Sequence, residues 1–267
     1  MDNRPVLFID SGIGGLPYCR DFLEKNRSEE ICYLADTKNF PYGPRAKEEL
    51  VSILISLIEK LLKEINPKII VLACNTATVS ALEPLREHFQ KTAFVGTVPA
   101  IKPAANASIT GKVGVLGTAR TIEDPYNQNL AKECEKKCEI IALAAPDLVE
   151  FVEQRYDKAD KNEKTEIVKK YIEYFYAKGA DTLVLGCTHF LYLLEEFKRE
   201  AEPYIKVYDS LEGVTKRIEF LLNDKSEELR AKADNKPENK LLLTSDETPD
   251  TNWHERAQKL RFKIKLI

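Results

Sequence analysis

The sequence predicts an α/β protein built from two similar halves with mainly parallel sheets. Three observations carry that prediction. Short apolar runs alternate with segments of helical periodicity along most of the 267 residues. Two stretches, Ala73-Cys74-Asn75-Thr76 and Gly186-Cys187-Thr188-His189, share one pattern: a branched apolar run ends in a cysteine, and a helix-like segment follows. The runs also match in order. Val6 aligns with Val113 at an offset of 107, Ile31 with Ile140 at 109, and Cys74 with Cys187 at 113. In open α/β sheets ligands bind at the carboxyl ends of the strands, where both cysteines fall.

The elements follow in order. A strand over 6–9 runs into Asp10-Ser11-Gly12-Ile13-Gly14-Gly15-Leu16. A strand, a glycine-rich turn and a helix together offer backbone N–H groups to an anion. The spacing is neither a dinucleotide fingerprint nor a P-loop. Without Asp10 and Ser11 at the strand's end, a tight turn would explain the glycines equally well. Asp10 can hold an ammonium group or assist a base. The strand over 31–35 leads to Asp36 and then to Thr37-Lys38-Asn39-Phe40-Pro41-Tyr42-Gly43-Pro44-Arg45. Its prolines and glycine predict a rigid loop with no helix. That loop is either a plain surface turn or a wall and backbone donor for a small ligand.

Apolar residues at 50, 51, 54, 57, 58, 61, 62 and 65 predict a helix over 48–65, stopped by Asn66-Pro67. The strand over 69–73 and a helix over 79–89 follow. Strands are expected at 94–98, 113–116, 140–144 and 183–185, with helices over 147–154 and 165–178 and Gly179 as a C-terminal cap. After 207–210 a helix runs to 222, and 223–240 reads as a solvated helix end and loop. Strands at 241–244 and 262–267, with a helix over 254–260 between them, are too short for a domain and are expected to join the first half.

The net charge of −3 gives no reason to expect a nucleic-acid partner. No apolar run reaches membrane-spanning length, and the N-terminus shows no signal-peptide pattern, so a cytoplasmic protein is expected. In that compartment the six cysteines are reduced thiols. Their spacing gives no paired CxxC, which argues against a structural zinc site. Cys134 and Cys138 read as incidental surface residues.

A lone cysteine at a strand end is most often a small buried hydrophobe. A matched pair, one beside Asn-Thr and the other beside Thr-His, points to chemistry. A Cys–His hydrolase needs one nucleophile and has no use for a second, equivalent thiol. Two thiols on opposite faces of one carbon suit inversion of a stereocentre. One takes a proton as thiolate and the other returns a proton as thiol, with no cofactor.

At these residues the chain resembles the glutamate racemases of the aspartate/glutamate racemase superfamily. The matching stretches are Phe8-Ile9-Asp10-Ser11-Gly12-Ile13-Gly14-Gly15-Leu16, Ala35-Asp36-Thr37-Lys38-Asn39-Phe40-Pro41-Tyr42-Gly43, Ala73-Cys74-Asn75-Thr76-Ala77-Thr78, Val113-Gly114-Val115-Leu116-Gly117-Thr118 and Leu185-Gly186-Cys187-Thr188-His189. The resemblance implies two pseudo-symmetric α/β domains, 1–97 with 210–267 and 98–209, with the active site in the cleft between them. It implies cofactor-independent interconversion of L- and D-glutamate for peptidoglycan synthesis, by a homodimer that holds no metal. Cys74 would deprotonate D-glutamate and Cys187 L-glutamate, assisted by Asp10 and His189 respectively. Ser11, Pro41, Tyr42, Gly43, Asn75, Thr76, Thr118, Thr121 and Thr188 would hold the substrate, together with Asp10 and His189. Asp36 and Glu153 match further family acids, and Glu153 is counted with the catalytic groups.

Two positions differ from the usual pattern. Leu191 stands where members often have proline, and Gly96-Thr97-Val98-Pro99-Ala100 lacks a common glutamate. The long N-terminal extension that some members use for activation by a cell-wall precursor is missing, so no such regulation is expected. Other readings stay open at this level: racemisation of another amino acid such as aspartate, a binding protein on the same fold, and Cys74, Cys187 and His189 as metal ligands.

Overall fold

The computed structural model describes residues 1–123, 138–223, 229–232, 234, 236–245 and 248–267. Its strands are β1 (Val6–Asp10), β2 (Ile31–Ala35), β3 (Ile69–Leu72), β4 (Ala93–Gly96), β5 (Lys112–Gly117), β6 (Glu139–Ala144), β7 (Thr182–Gly186), β8 (Lys206–Tyr208), β9 (Lys240–Leu243) and β10 (Lys263–Leu266). The helices among the described residues are α1 (Leu16–Lys25), α2 (Lys47–Glu64), α3 (Asn75–His88), α4 (Ile101–Ala107), α5 (Ala119–Glu123), α6 (Pro146–Gln154), α7 (Lys161–Ala177), α8 (Leu194–Ala201), α9 (Leu211–Leu222) and α10 (Thr251–Leu260). They divide into two compact units, Met1–Thr97 with Leu211–Ile267 and Val98–Ser210.

The first unit carries a six-stranded sheet in the order β10-β9-β2-β1-β3-β4, with every pairing parallel. Parallel neighbours need crossovers, and helices on both faces bury the strands. That is why β1, β2 and β3 are apolar at nearly every position and buried along their whole length. Helix α2 turns Leu50, Leu54, Ile58 and Leu61 inward at helical spacing. They pack with Leu7, Ile9, Leu34, Ile70 and Leu72 of the sheet. Asn66 ends that excursion at φ 49°, a left-handed conformation that asparagine tolerates. The second unit carries a four-stranded parallel sheet in the order β6-β5-β7-β8. Its core packs α4 against β5 and β7 through Ile101, Ala104, Val113, Val115 and Val184.

The two sheets repeat one plan. The order β2-β1-β3-β4 recurs as β6-β5-β7-β8. The registers agree as well. Val6 faces Ile31 and Ile69, while Val113 faces Ile140 and Thr182, at the offsets read from the sequence. Even a turn bond recurs: Asp36 N–H donates to the Asp10 carbonyl at 2.8 Å, and Ala145 N–H to that of Gly117 at 3.0 Å.

Several expectations need correction. Helix α3 starts at Asn75, directly after Cys74, and not at 79. The run Asn75-Thr76-Ala77-Thr78 has weak helix propensity, but it is buried and packing decides its conformation. Helix α7 starts at Lys161, four residues early, because Asp160 and Glu163 form a capping box. The loop after Asp36 opens with one 3-10 turn, Thr37–Asn39, before its prolines. Leu229 and Ala231 are buried, so 223–240 is not a purely solvated connection. Cys138 is half-buried and packs against the core of the second unit, whereas Cys134 lies outside the described residues. Among the described residues no helix is long and apolar enough to cross a membrane.

Candidate active site

Both cysteines sit where a strand hands over to a helix. Cys74 follows β3 by two residues and precedes α3, with φ −142° and ψ 121°. Cys187 follows β7 and precedes a 3-10 helix (Thr188–Leu193) that continues into α8, with φ −140° and ψ 136°. The thiols therefore hold equivalent positions on equivalent frames. Each is nearly buried, Cys74 at 8% exposure and Cys187 at 5%. A helix N-terminus favours negative charge, and reactive thiolates are often found there.

The neighbours of the two thiols are not equivalent. In the first unit Asp10, fully buried, ends β1 and accepts a hydrogen bond from Gly12 N–H at 2.8 Å. Tyr33 ties down the rest of the turn: its hydroxyl donates to the Gly12 carbonyl at 2.8 Å and accepts from Gly15 N–H at 3.2 Å. The Gly12 and Gly15 amides are thus already used, and the turn's anion-binding capacity is smaller than the glycines suggest. Gly15 has a different reason to be glycine. A Cβ there would lie 2.7 Å from the Ala73 Cβ, so only glycine lets this turn pack against the residue before Cys74. Ser11 is buried beside Asp10.

Asn75 and Thr76 open α3 and are buried, and Asn75 donates from its side chain to the Thr97 carbonyl at 3.1 Å. Tyr42 is also buried. Its hydroxyl donates to Asp36 at 2.8 Å. Burial first, and then the Asp36 charge, push the phenol well above its ordinary range, so it stays a donor. Gly43 leaves open space, since a Cβ there would meet nothing within 4 Å. Pro41, just before Tyr42, is exposed. Asp36 is a fully buried junction: besides Tyr42 it accepts from Asn39 Nδ2 at 3.0 Å and from Thr244 Oγ1 at 2.7 Å.

In the second unit His189 bridges two groups. Its Nδ1 lies 3.7 Å from the Cys187 sulfur, and its Nε2 lies 2.6 Å from Oε1 of Glu153, carried by α6. Burial alone would lower the imidazole pKa. The hydrogen bonds to Cys187 and Glu153 outweigh burial and hold the ring well above its ordinary value. Thr118 and Thr121 lie at the end of β5 and in α5, with hydroxyls 2.9 Å apart and the Thr121 N–H donating to Thr118 Oγ1. Thr188 is buried beside Cys187.

The first unit thus gathers Asp10, Ser11, Asp36, Tyr42, Cys74, Asn75 and Thr76 at the carboxyl ends of its strands. The second does the same with Thr118, Thr121, Glu153, Cys187, Thr188 and His189. Thr244, which follows β9 and bonds Asp36, is the residue sequence reasoning did not find. Two further thiols differ in kind. Cys19 and Cys32 are buried and pushed up, Cys32 to about 12, chiefly by burial, so they remain inert thiols. Among the described residues no group of three or more His, Cys, Asp or Glu side chains is arranged to hold a metal ion.

Duplicated parallel α/β frames, each presenting a cysteine at a strand end, define the class: a two-domain α/β protein with matched thiols on its two sheets. The family model described as Asp/Glu/Hydantoin racemase matches residues 19–216, and the chain belongs to that family as an amino-acid racemase. It is 38% identical to a glutamate racemase of Herpetosiphon aurantiacus over 222 residues, covering 83% of this chain and 86% of that one. Identity to a glutamate racemase of Bartonella henselae is 35% over 225 residues, 83% of each chain. Among solved structures, a glutamate racemase isoform of Bacillus anthracis matches with a TM-score of 0.83 at 28% identity, covering 100% of this chain and 97% of that one. The Escherichia coli glutamate racemase, solved with L-glutamate and the activator UDP-MurNAc-ala, matches with a TM-score of 0.84 at 28% identity, covering 98% and 97%.

Proposed function

We propose that this racemase interconverts L- and D-glutamate without a cofactor, with Cys74 and Cys187 as its two bases. The observation that carries the reading is the pair of thiols at equivalent strand ends with near-identical backbone angles. Acting on D-glutamate, the Cys74 thiolate takes the α-proton, and the electron pair of that C–H bond stays on the α-carbon. The Cys187 thiol then delivers a proton to the opposite face, which leaves L-glutamate, a Cys74 thiol and a Cys187 thiolate. The reverse reaction exchanges the roles. Asp10 assists on the Cys74 side, and the His189–Glu153 pair holds and moves a proton beside Cys187. Ser11, Asn75, Thr76, Thr118, Thr121 and Thr188 offer donors for the two carboxylates, and the Pro41-Tyr42-Gly43 loop leaves room at Gly43 for the substrate. The likeness to named glutamate racemases supports glutamate over other amino acids. The product would supply D-glutamate for peptidoglycan in the cytoplasm, with a homodimer as the working form.

The test is exchange in deuterated water. Purified, reduced, metal-free protein is incubated with L-glutamate, and the α-proton NMR signal and the product's handedness are followed together. Loss of the signal with appearance of D-glutamate is expected, and aspartate run in parallel checks specificity. Cys74→Ala and Cys187→Ala should each abolish turnover. Full turnover in either variant, or no exchange in the folded parent, defeats the two-base reading.

A further inference from the structure

Thr244 stands just past the end of β9, in the segment that returns to the first unit after residue 210. It is 8% exposed. Its hydroxyl makes two bonds that together fix its direction: Oγ1 accepts from the Lys38 backbone N–H at 3.0 Å and donates to Asp36 Oδ1 at 2.7 Å. The other Asp36 oxygen accepts from the Tyr42 hydroxyl at 2.8 Å. Asn39 Nδ2 reaches both oxygens at 3.0 Å. A single side chain just past β9 therefore grips the loop twice, at its Lys38 backbone and through the carboxylate that accepts from Tyr42. Farther along, the loop is closed by Arg45, whose N–H donates to the Tyr42 carbonyl at 3.1 Å.

We propose that Thr244 is a positioning residue for the Tyr42-Gly43 substrate loop, acting through Asp36. This rests on the proposed glutamate chemistry, in which that loop meets the substrate. Only a side chain that both accepts and donates at this place can serve, so serine can replace threonine and valine cannot. The Thr244→Val variant leaves one Asp36 oxygen without its hydroxyl donor and the Lys38 N–H without its acceptor. The expected result is a KM for glutamate raised about tenfold in both directions, the size of one lost hydrogen bond to a charged group, with kcat held within about threefold. Thr244→Ser should restore KM to within about twofold, since it keeps both bonds. Thr244→Ala stands in if Thr244→Val does not fold, with the same KM rise expected. In the double variant with Tyr42→Phe, the second change should add less than it does alone, because both act through one carboxylate.

Melting temperatures separate folding from positioning. An unchanged KM in a folded Thr244→Val overturns the proposal, as does a KM in Thr244→Ser as high as in Thr244→Val, or strict additivity with Tyr42→Phe. Absence of glutamate racemisation by the parent protein in the same assay would defeat the proposed function instead, so the two failures read differently.

Discussion

At the scale of single residues, the two thiols are matched and their neighbours are not. Counting along the repeat, Asn75 corresponds to Thr188 and Thr76 to His189, so the imidazole occurs on one side only. Glu153 holds it through a 2.6 Å contact. Replacing Glu153 by Gln removes one of the two groups, after Cys187, that raise the ring's pKa. The His189 ring should then titrate lower than in the parent. A raised folded-state pKa gives stability that is complete below the unfolded value and is lost as pH rises through the folded one. In Glu153→Gln, both that stability and the racemase rate should therefore decline at lower pH on the basic side than in the parent. Each pH unit by which the titration drops costs about tenfold in imidazolium above it. NMR titration of the His189 ring and a pH–rate profile measure this, and an unmoved titration would show that Glu153 does not set it. The cysteines were legible because a pattern occurs twice. Glu153 was legible only by resemblance, being locally one acid among several on an amphipathic helix. Thr244 was not legible at all, since it lies 208 residues from the carboxylate it bonds. A partner that distant is fixed by strand order, which no local pattern encodes.

At the scale of elements, strand positions could be read closely, and so could the starts of α2 and α6, but not those of α3, α7 and α10. Strands of a parallel sheet are continuous apolar runs, and their ends fell within one or two residues of the run. Helix α3 begins with residues that favour caps and turns, so its start was hidden by weak propensity. The capping box of α7 was present in the sequence as Asp160-Lys161-Asn162-Glu163, and a search for that spacing would have placed its start. Local pattern also failed to show why Gly15 is glycine, because the reason lies in Ala73 across the sheet. Changing Gly15 to Ala drives a Cβ to 2.7 Å from the Ala73 Cβ and 3.0 Å from its carbonyl oxygen, both backbone-fixed. Overpacking of this kind costs about 1–3 kcal/mol. The displaced residue immediately precedes Cys74. A lower melting temperature is expected, with a fall in kcat larger than any change in KM. Gly213 in α9 supplies the control: a Cβ there meets nothing within 4 Å. Gly213→Ala should stabilise the helix by roughly 0.5–1 kcal/mol. Equal thermal behaviour of the two variants would show that the turn yields freely and does not hold Ala73.

At the scale of the whole chain, the first unit is assembled from segments distant in sequence, and a buried charge holds them together. Lys68 stands just before β3 and Glu29 just before β2. Both side chains are fully buried and lie 2.6 Å apart. The ammonium spends its other protons on the carbonyls of Asp2, at 2.7 Å, and Leu229, at 2.8 Å. The second carboxylate oxygen of Glu29 accepts from Ala231 N–H at 3.1 Å. The N-terminal segment, two strand starts and the returning chain therefore meet at one ion pair. Such a pair is weak evidence of net stability, because desolvation offsets the attraction, but removing the lysine leaves Glu29 buried with only the more distant Arg230 guanidinium, at 3.7 Å, as a cation. Lys68→Met should thus cost about 3–5 kcal/mol, read as a drop in the urea midpoint. Adding Glu29→Gln removes the stranded charge while keeping an oxygen for the Ala231 N–H. The double variant is expected to recover part of the loss and to be more stable than Lys68→Met alone. A single variant within about 0.5 kcal/mol of the parent, the range of ordinary surface changes, would mean that these segments are held by apolar packing alone. A double variant no better than the single would place the loss in the lysine's bonds to Asp2 and Leu229 and not in the stranded carboxylate.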